Sequence, residues 1–384
     1  MVAVWLGWAA LMASANLASP LYAVYADRFS FSSLVLTLVF STYAAVLVVA
    51  LMLFGRLADR VGRRPVLVSG LAAGVVGVVL FALAQSTAWL FAARACQGLA
   101  VGMVSGPATA ALVELEPEEA SQRPALLAGL AQVGGSAAGP VVAAVLAQWA
   151  PWPLHLCYWV SLVTLVIAAA AMWRVPEPGE RAREPWRIRV PRLPDRGRRD
   201  FVRVSLTAAL VWGSLAMFLS VVPKYAGQLL VTHNLALVGV VAALAVVASS
   251  PAHVLAQRLP LEVRTGQAAG LVALAAGLVA LTVAAPLHSL LLLGVAAVTA
   301  GTGHGTAFVN AQHELNGIAP DERRAEVTAA FICCIYAVVG AATVGSGLLA
   351  RELSFTLAVG VVTSILAAAA LVTAAWQWLG SRRS

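Results

Sequence analysis

Apolar residues along this chain neither alternate nor recur at the spacing of an amphipathic helix. They come in unbroken runs, parted by short clusters of charge, glycine and proline. A run of about 20 apolar residues matches the thickness of a bilayer core. Such runs fall near 2–25, 33–54, 66–84, 88–113, 124–149, 154–173, 202–224, 234–256, 267–285, 288–312, 325–350 and 354–379, twelve in all. Backbone groups in hydrocarbon must find their partners within their own segment, so each run predicts a helix. The alternating ten-residue segments of a membrane β-barrel are not part of the pattern. The expected fold class is an all-α polytopic membrane protein with twelve transmembrane helices in two six-helix bundles.

Composition agrees. Of 384 residues, 61% are hydrophobic and only 11% are charged, against about 25% charged in a soluble domain. So few charges argue against a soluble enzyme, a disordered chain or a nucleic-acid-binding module. The net charge of +8 reads instead as loop charge that sets orientation. With the N-terminus inside, the inner loops hold Arg56, Arg60, Arg63, Arg64, Arg123, ten arginines from Arg174 to Arg203, and Arg258, Arg264, Arg323, Arg324, Arg382 and Arg383. That is 21 basic residues against three outside, Arg28, Lys224 and Arg351. Both termini are therefore expected in the cytoplasm. Ala13-Ser14-Ala15 resembles a signal-peptide cleavage site, but no basic residue precedes it and the apolar run continues past Pro20, so the first span is expected to be retained.

The longest hydrophilic stretch, proline-rich and basic, divides the spans six and six. It gives expected domains of 1–173 and 202–384 joined by a linker over 174–201. The linker suits the anionic inner leaflet, and a regulatory or partner-binding role stays open. The loops after spans four and ten echo each other, with Pro117 and Pro320 each followed by acids and then arginine. Glycines recur before both loops: Gly98 and Gly102, then Gly301, Gly303 and Gly305. Two similar bundles are a plan used by carriers that rock about a central site. The cysteines, Cys96, Cys157, Cys333 and Cys334, lie in apolar runs and read as small hydrophobes, with no metal site expected.

After span two the chain reads Gly-Arg-Leu-Ala-Asp-Arg-Val-Gly-Arg-Arg-Pro, Gly55 to Pro65. This resembles the major facilitator superfamily, whose signature between helices two and three it matches throughout. The resemblance implies the major facilitator fold and an inner gate drawn from Gly55, Asp59, Arg60, Gly62, Arg63 and Arg64, and Glu114 at the end of span four is a further gating candidate. Arg94, Gln97, Gly98 and Gly102, on one face of span four, look like the family's Arg-x-x-x-Gly element. Gly135-x-x-x-Gly139-Pro140 is similar to the element of the family's exporters, the drug/proton antiporter-like branch. Ala143 and Ala144 stand where that pattern has glycines. In the second half, residues 256–267 are a degraded echo, with only Arg258, Arg264 and Gly266 suggestive.

Polar side chains at mid-depth are the substrate candidates: Asn16, Tyr43, Arg94, Gln97, Gln132, Trp212, His304 and Tyr336. Acids within the spans are nearly absent. Asp27 and Glu114 lie at span ends and the other acids are expected in loops, so proton coupling falls to His304, Asp27 or Glu114. No cofactor, metal or nucleic acid is expected, and nothing resembles a catalytic constellation, so the chain does not read as an enzyme. The reading is a monomeric multi-pass carrier in a bacterial plasma membrane that moves a small amphipathic molecule outward against protons. Uptake or facilitated transport of a sugar or organic acid remains the alternative, and a non-transporting membrane sensor a remote one.

Overall fold

Every regular element among the described residues is helical. The structure, a computed structural model, describes residues 1–116, 123–177, 193–194, 197–230, 235–258, 262–284, 286–319 and 324–381. The helices are α1 (Val2–Asn16), α2 (Tyr22–Phe29), α3 (Ser33–Val61), α4 (Arg63–Ala82), α5 (Thr87–Glu114), α6 (Arg123–Gly129), α7 (Gly135–Trp149) and α8 (Leu156–Trp173). They continue with α9 (Arg198–Leu230), α10 (Leu235–Arg258), α11 (Val263–Ala284), α12 (Leu290–Ile318), α13 (Arg324–Glu352) and α14 (Phe355–Ser381). Among the described residues, twelve stretches are long and apolar enough to cross a membrane, with mean hydropathy of 1.3 to 2.5.

Two spans are broken. Pro20 has no N–H to offer the Asn16 carbonyl, so α1 stops at Asn16. A 3-10 turn at Ser19–Leu21 follows, and the chain restarts as α2. The single run expected over 2–25 is thus two helices. Span five carries a π-helical segment, Leu130–Gly134, between α6 and α7, a distortion that periodicity does not announce.

Two further expectations need correction. The loop expected over 55–65 is mostly helix: α3 runs to Val61, Gly62 alone makes the turn, and α4 begins at Arg63. Span ten extends past 312 to Ile318, and span seven begins at Arg198. Glu314 and Asp200 therefore lie in helices, not loops. Both carboxylates pair with arginines, which lets polar residues continue an apolar helix.

The chain divides into two compact units, Met1–Phe31 with Thr42–Arg189, and Ser32–Ser41 with Val190–Ser384. In the first, α4 packs on α5 and α8, while α1 packs on α5, α7 and α8. In the second, α12 is central, against α9, α10 and α11, with α14 on α11 and α13 on α9. The close approaches use glycine. A Cβ on Gly98 would strike the Tyr43 carbonyl of α3, and one on Gly301 the Ala245 carbonyl of α10, the small-residue contact that packs helices in lipid. Large apolar side chains such as Ile167, Leu291 and Val372 point outward, 63–80% exposed. In water such faces would drive association; in a bilayer they meet acyl chains.

Candidate functional site

The signature turn is held from three sides. Gly62 has φ of +113°, a conformation that residues with a side chain rarely adopt. Arg63, opening α4, reaches across to Glu114 at the end of α5, with Nε 2.7 Å from Oε2 and Nη2 2.5 Å from Oε1. The start of the linker folds back on the turn. Glu177 accepts the Arg64 backbone N–H at 3.1 Å, and Arg64 Nη1 donates to the Val175 carbonyl at 3.3 Å. The Arg64 guanidinium lies 5.5 Å over Trp173. Carboxylates beside exposed amides at a helix start are favoured by the helix dipole. Arg60 is exposed. Gly55 and Asp59 belong to α3, but their side-chain surroundings lie outside the described residues, as does most of the linker.

Arg94 sits at the break in span one. It is 1% exposed, and its Nη1 donates to the Ala15 carbonyl at 2.6 Å and to Gln97 Oε1 at 2.9 Å. Gln97 Nε2 donates to the Ser14 carbonyl at 3.0 Å. The guanidinium also lies 5.3 Å from the Tyr22 ring and 5.5 Å from the Tyr43 ring. Carbonyls at a helix end need donors from elsewhere; here α5 supplies them. The structure brings together Arg94, Gln97 and Tyr43 from the sequence candidates. Asn16 bonds within its own helix, to the Met12 carbonyl at 2.9 Å. Gln132 lies in the π segment, which packs on α1. A Cβ on Gly135 or Gly139 would meet the Ala9 or Ala13 carbonyl of α1, and Pro140 is buried beside them.

In the second unit, His304 of α12 is 3% exposed. Its Nδ1 lies 2.7 Å from Ser249 Oγ of α10. Trp212 of α9 meets its ring edge-on at 5.1 Å, and Phe308 stacks at 5.7 Å. Two buried nitrogens of this cluster, His304 Nε2 and Trp212 Nε1, have no partner among the described residues. Trp212 and His304 were both sequence candidates; Ser249 and Phe308 were not, because their partnership is tertiary. Tyr336 lies on α13, partly buried. Asp27 is exposed on α2, and Glu114 is exposed and paired with Arg63.

The sequence reading also missed an ionic network at one end of the second unit. Arg203 (α9) pairs with Glu314 (α12) and, at 2.9 Å, with Asp200. Arg264 (α11) lies 3.5 Å from each acid and donates to the Gly380 carbonyl at 3.1 Å. Gln267 donates to Glu314 at 2.6 Å, and Gln377 of α14 donates to Gln267 at 2.6 Å. Arg264 with Glu314 repeats Arg63 with Glu114: an arginine opening one helix meets an acid near the end of the next. The degraded echo therefore keeps the ion pair while losing the surrounding pattern. Among the described residues, no cluster of histidine, cysteine and acid suits a metal ion.

Twelve apolar helices, two broken spans and glycine-mediated contacts define a polytopic helical membrane protein. Residues 4–344 match the Major Facilitator Superfamily, and the chain belongs to that family. It is 30% identical over 125 residues to the multidrug resistance protein MdtH of Yersinia enterocolitica, covering 32% of this chain and 30% of that protein. It is 39% identical over 67 residues to the multidrug resistance protein MdtL of Escherichia coli, covering 17% of each. The chain thus aligns with under a third of the length of these curated relatives. A solved D-xylose–proton symporter superposes with a TM-score of 0.78 over 98% of this chain and 96% of its own, at 15% identity. That likeness concerns the fold alone.

Proposed function

We propose that the protein is a secondary carrier of a bacterial plasma membrane, both termini in the cytoplasm, that exports small amphipathic organic molecules in exchange for protons. The drug-resistance names of partial relatives and the Gly135–Pro140 element packed on α1 support export. One observation carries the coupling. His304 is enclosed at mid-span with Nδ1 on Ser249 and Nε2 without a partner among the described residues, whereas Asp27 and Glu114 are exposed. Histidine is the side chain whose ordinary titration falls near neutral pH, so His304 is the group assigned to carry the proton. Arg94 cannot serve, since guanidinium keeps its proton. In this reading it fixes the shape of span one.

The test uses everted membrane vesicles and three amphipathic probes, ethidium, norfloxacin and chloramphenicol. Acidifying the lumen should drive accumulation of at least one probe, and nigericin should abolish it. Accumulation of none, or accumulation indifferent to nigericin, contradicts proton-coupled export.

A further inference from the structure

The His304 cluster has a neighbour to which neither the sequence nor the family comparison gives a role. His253 lies on α10, one turn beyond Ser249, so the two residues share a face of that helix. Gly305 of α12 is pressed onto this same turn: a Cβ there would meet both the Ser249 carbonyl and the His253 backbone nitrogen. The two imidazoles therefore flank one helix crossing, with Ser249 between them. Exposure is graded along the line, since His304 and Ser249 are buried while His253 is partly exposed. His253 is also nearer the end of α10, which closes at the exposed Arg258, the end that the arginine balance assigns to the cytoplasm.

We propose that His253 is the proton exit of the carrier, the group through which a proton held on His304 passes to the cytoplasmic side. This rests on the reading of His304 as the coupling group. One proton enters on His304 Nε2, the atom left without a partner. The imidazolium then gives its Nδ1 proton to Ser249 Oγ as the serine releases its own hydroxyl proton toward His253. Ser249 and His253 share no hydrogen bond among the described residues, and one bridging water is assigned to that step. His253 hands the proton to the cytoplasmic medium. One proton is taken up and one is released, and the serine ends with one hydroxyl proton as it began. His304, left with its proton on Nε2, exchanges it back to Nδ1 before the next cycle.

Among the described residues, the surroundings leave the relay without a competing charge. Against His304 lie Trp212 from α9, Ser249 from α10 and Phe308 on its own helix, with His253 one helical turn beyond Ser249. The α11 face against α12 is formed by Gly270, Leu274 and Gly277, none of which titrates. The nearest acid along α12, Glu314, is held by Arg203 and Arg264. Two imidazoliums flanking one helix crossing would repel each other, so the charge occupies one histidine at a time, and the proton gradient sets the direction of net transfer.

The experiment compares His253→Gln, His253→Glu and His304→Gln in everted vesicles, using whichever of ethidium, norfloxacin and chloramphenicol the parent protein accumulates. Gradient-free exchange of labelled probe is the control for folding and binding. His253→Gln should keep exchange within twofold of the parent while gradient-driven accumulation falls at least fivefold. His253→Glu, which titrates again, should restore at least half of that loss. A His253→Gln protein that accumulates probe like the parent while His304→Gln does not overturns the exit and leaves the coupling reading intact. Parent-like accumulation by both variants overturns the coupling reading as well. Loss of exchange together with accumulation in both His253 variants assigns His253 to packing and also overturns the exit.

Discussion

Arg94 shows how one residue's role depends on a fault in another element. A charged side chain inside a span is costly and reads by default as functional. What the structure adds is the reason for its burial: α1 ends at Asn16, and the Ser14 and Ala15 carbonyls there accept from Gln97 and Arg94. Pro20 was visible in the sequence, but span one was read through it as a single apolar run, so the break at Asn16 is a finding of the structure. Its consequence was not legible either, because the donor that answers it lies 79 residues away. Arg94→Lys keeps the charge but loses the planar fork that reaches Ala15 and Gln97 together. It should lower the unfolding free energy by about 2 kcal/mol, the scale of a charged buried hydrogen bond, read as a lower thermal midpoint in detergent. An unchanged midpoint would show that the carbonyls find other donors. Gly62→Ala should cost about 1–2 kcal/mol, from the positive φ and from collision with the Glu177 carboxylate. Removing that carboxylate as well, with Glu177→Ala, should recover only the collision part.

At the scale of elements, the second unit is joined at one end by charge rather than apolar packing. Four helices, α9, α11, α12 and α14, meet through Arg203, Arg264, Glu314, Gln267 and Gln377. Sequence reading left Glu314 in a loop because residues 313–318 are too polar to extend an apolar run; the arginines that make the extension possible come from other helices. Glu314→Ala leaves Arg203, 4% exposed, without its main counter-charge, and should destabilise the protein by about 3 kcal/mol. Glu314→Gln keeps a hydrogen-bonding side chain and should cost less. Equal effects would mean that charge contributes little there. The glycines of α5 and α12 were legible as packing residues, but their partners on α3 and α10 needed coordinates. Gly301→Leu should prevent α12 from approaching α10 and abolish accumulation of folded protein, measured by size exclusion of the detergent extract.

For the whole molecule, the twelve spans were legible because a bilayer permits few alternatives to a helix, and the apolar run length carries the count. The two interruptions and the helix ends were not, since they depend on local partners rather than hydropathy. Orientation rests on the arginine balance and is tested by cysteine labelling in a cysteine-free background. A probe that cannot cross membranes should modify Arg174→Cys only in everted vesicles and Leu287→Cys, on the α11–α12 connection, only in intact cells. The reverse pattern would invert the carrier and the side to which the relay leads. The most direct test of proton-coupled transport at His304 is made in proteoliposomes loaded with a pH-reporting dye, with transport of the accumulated probe followed alongside. Purified parent protein should move protons against the probe, and His304→Gln should lose that proton flux at least tenfold, about 1.4 kcal/mol in barrier, while probe exchange without a gradient continues. Proton flux in His304→Gln equal to the parent's, at equal probe exchange, would contradict it.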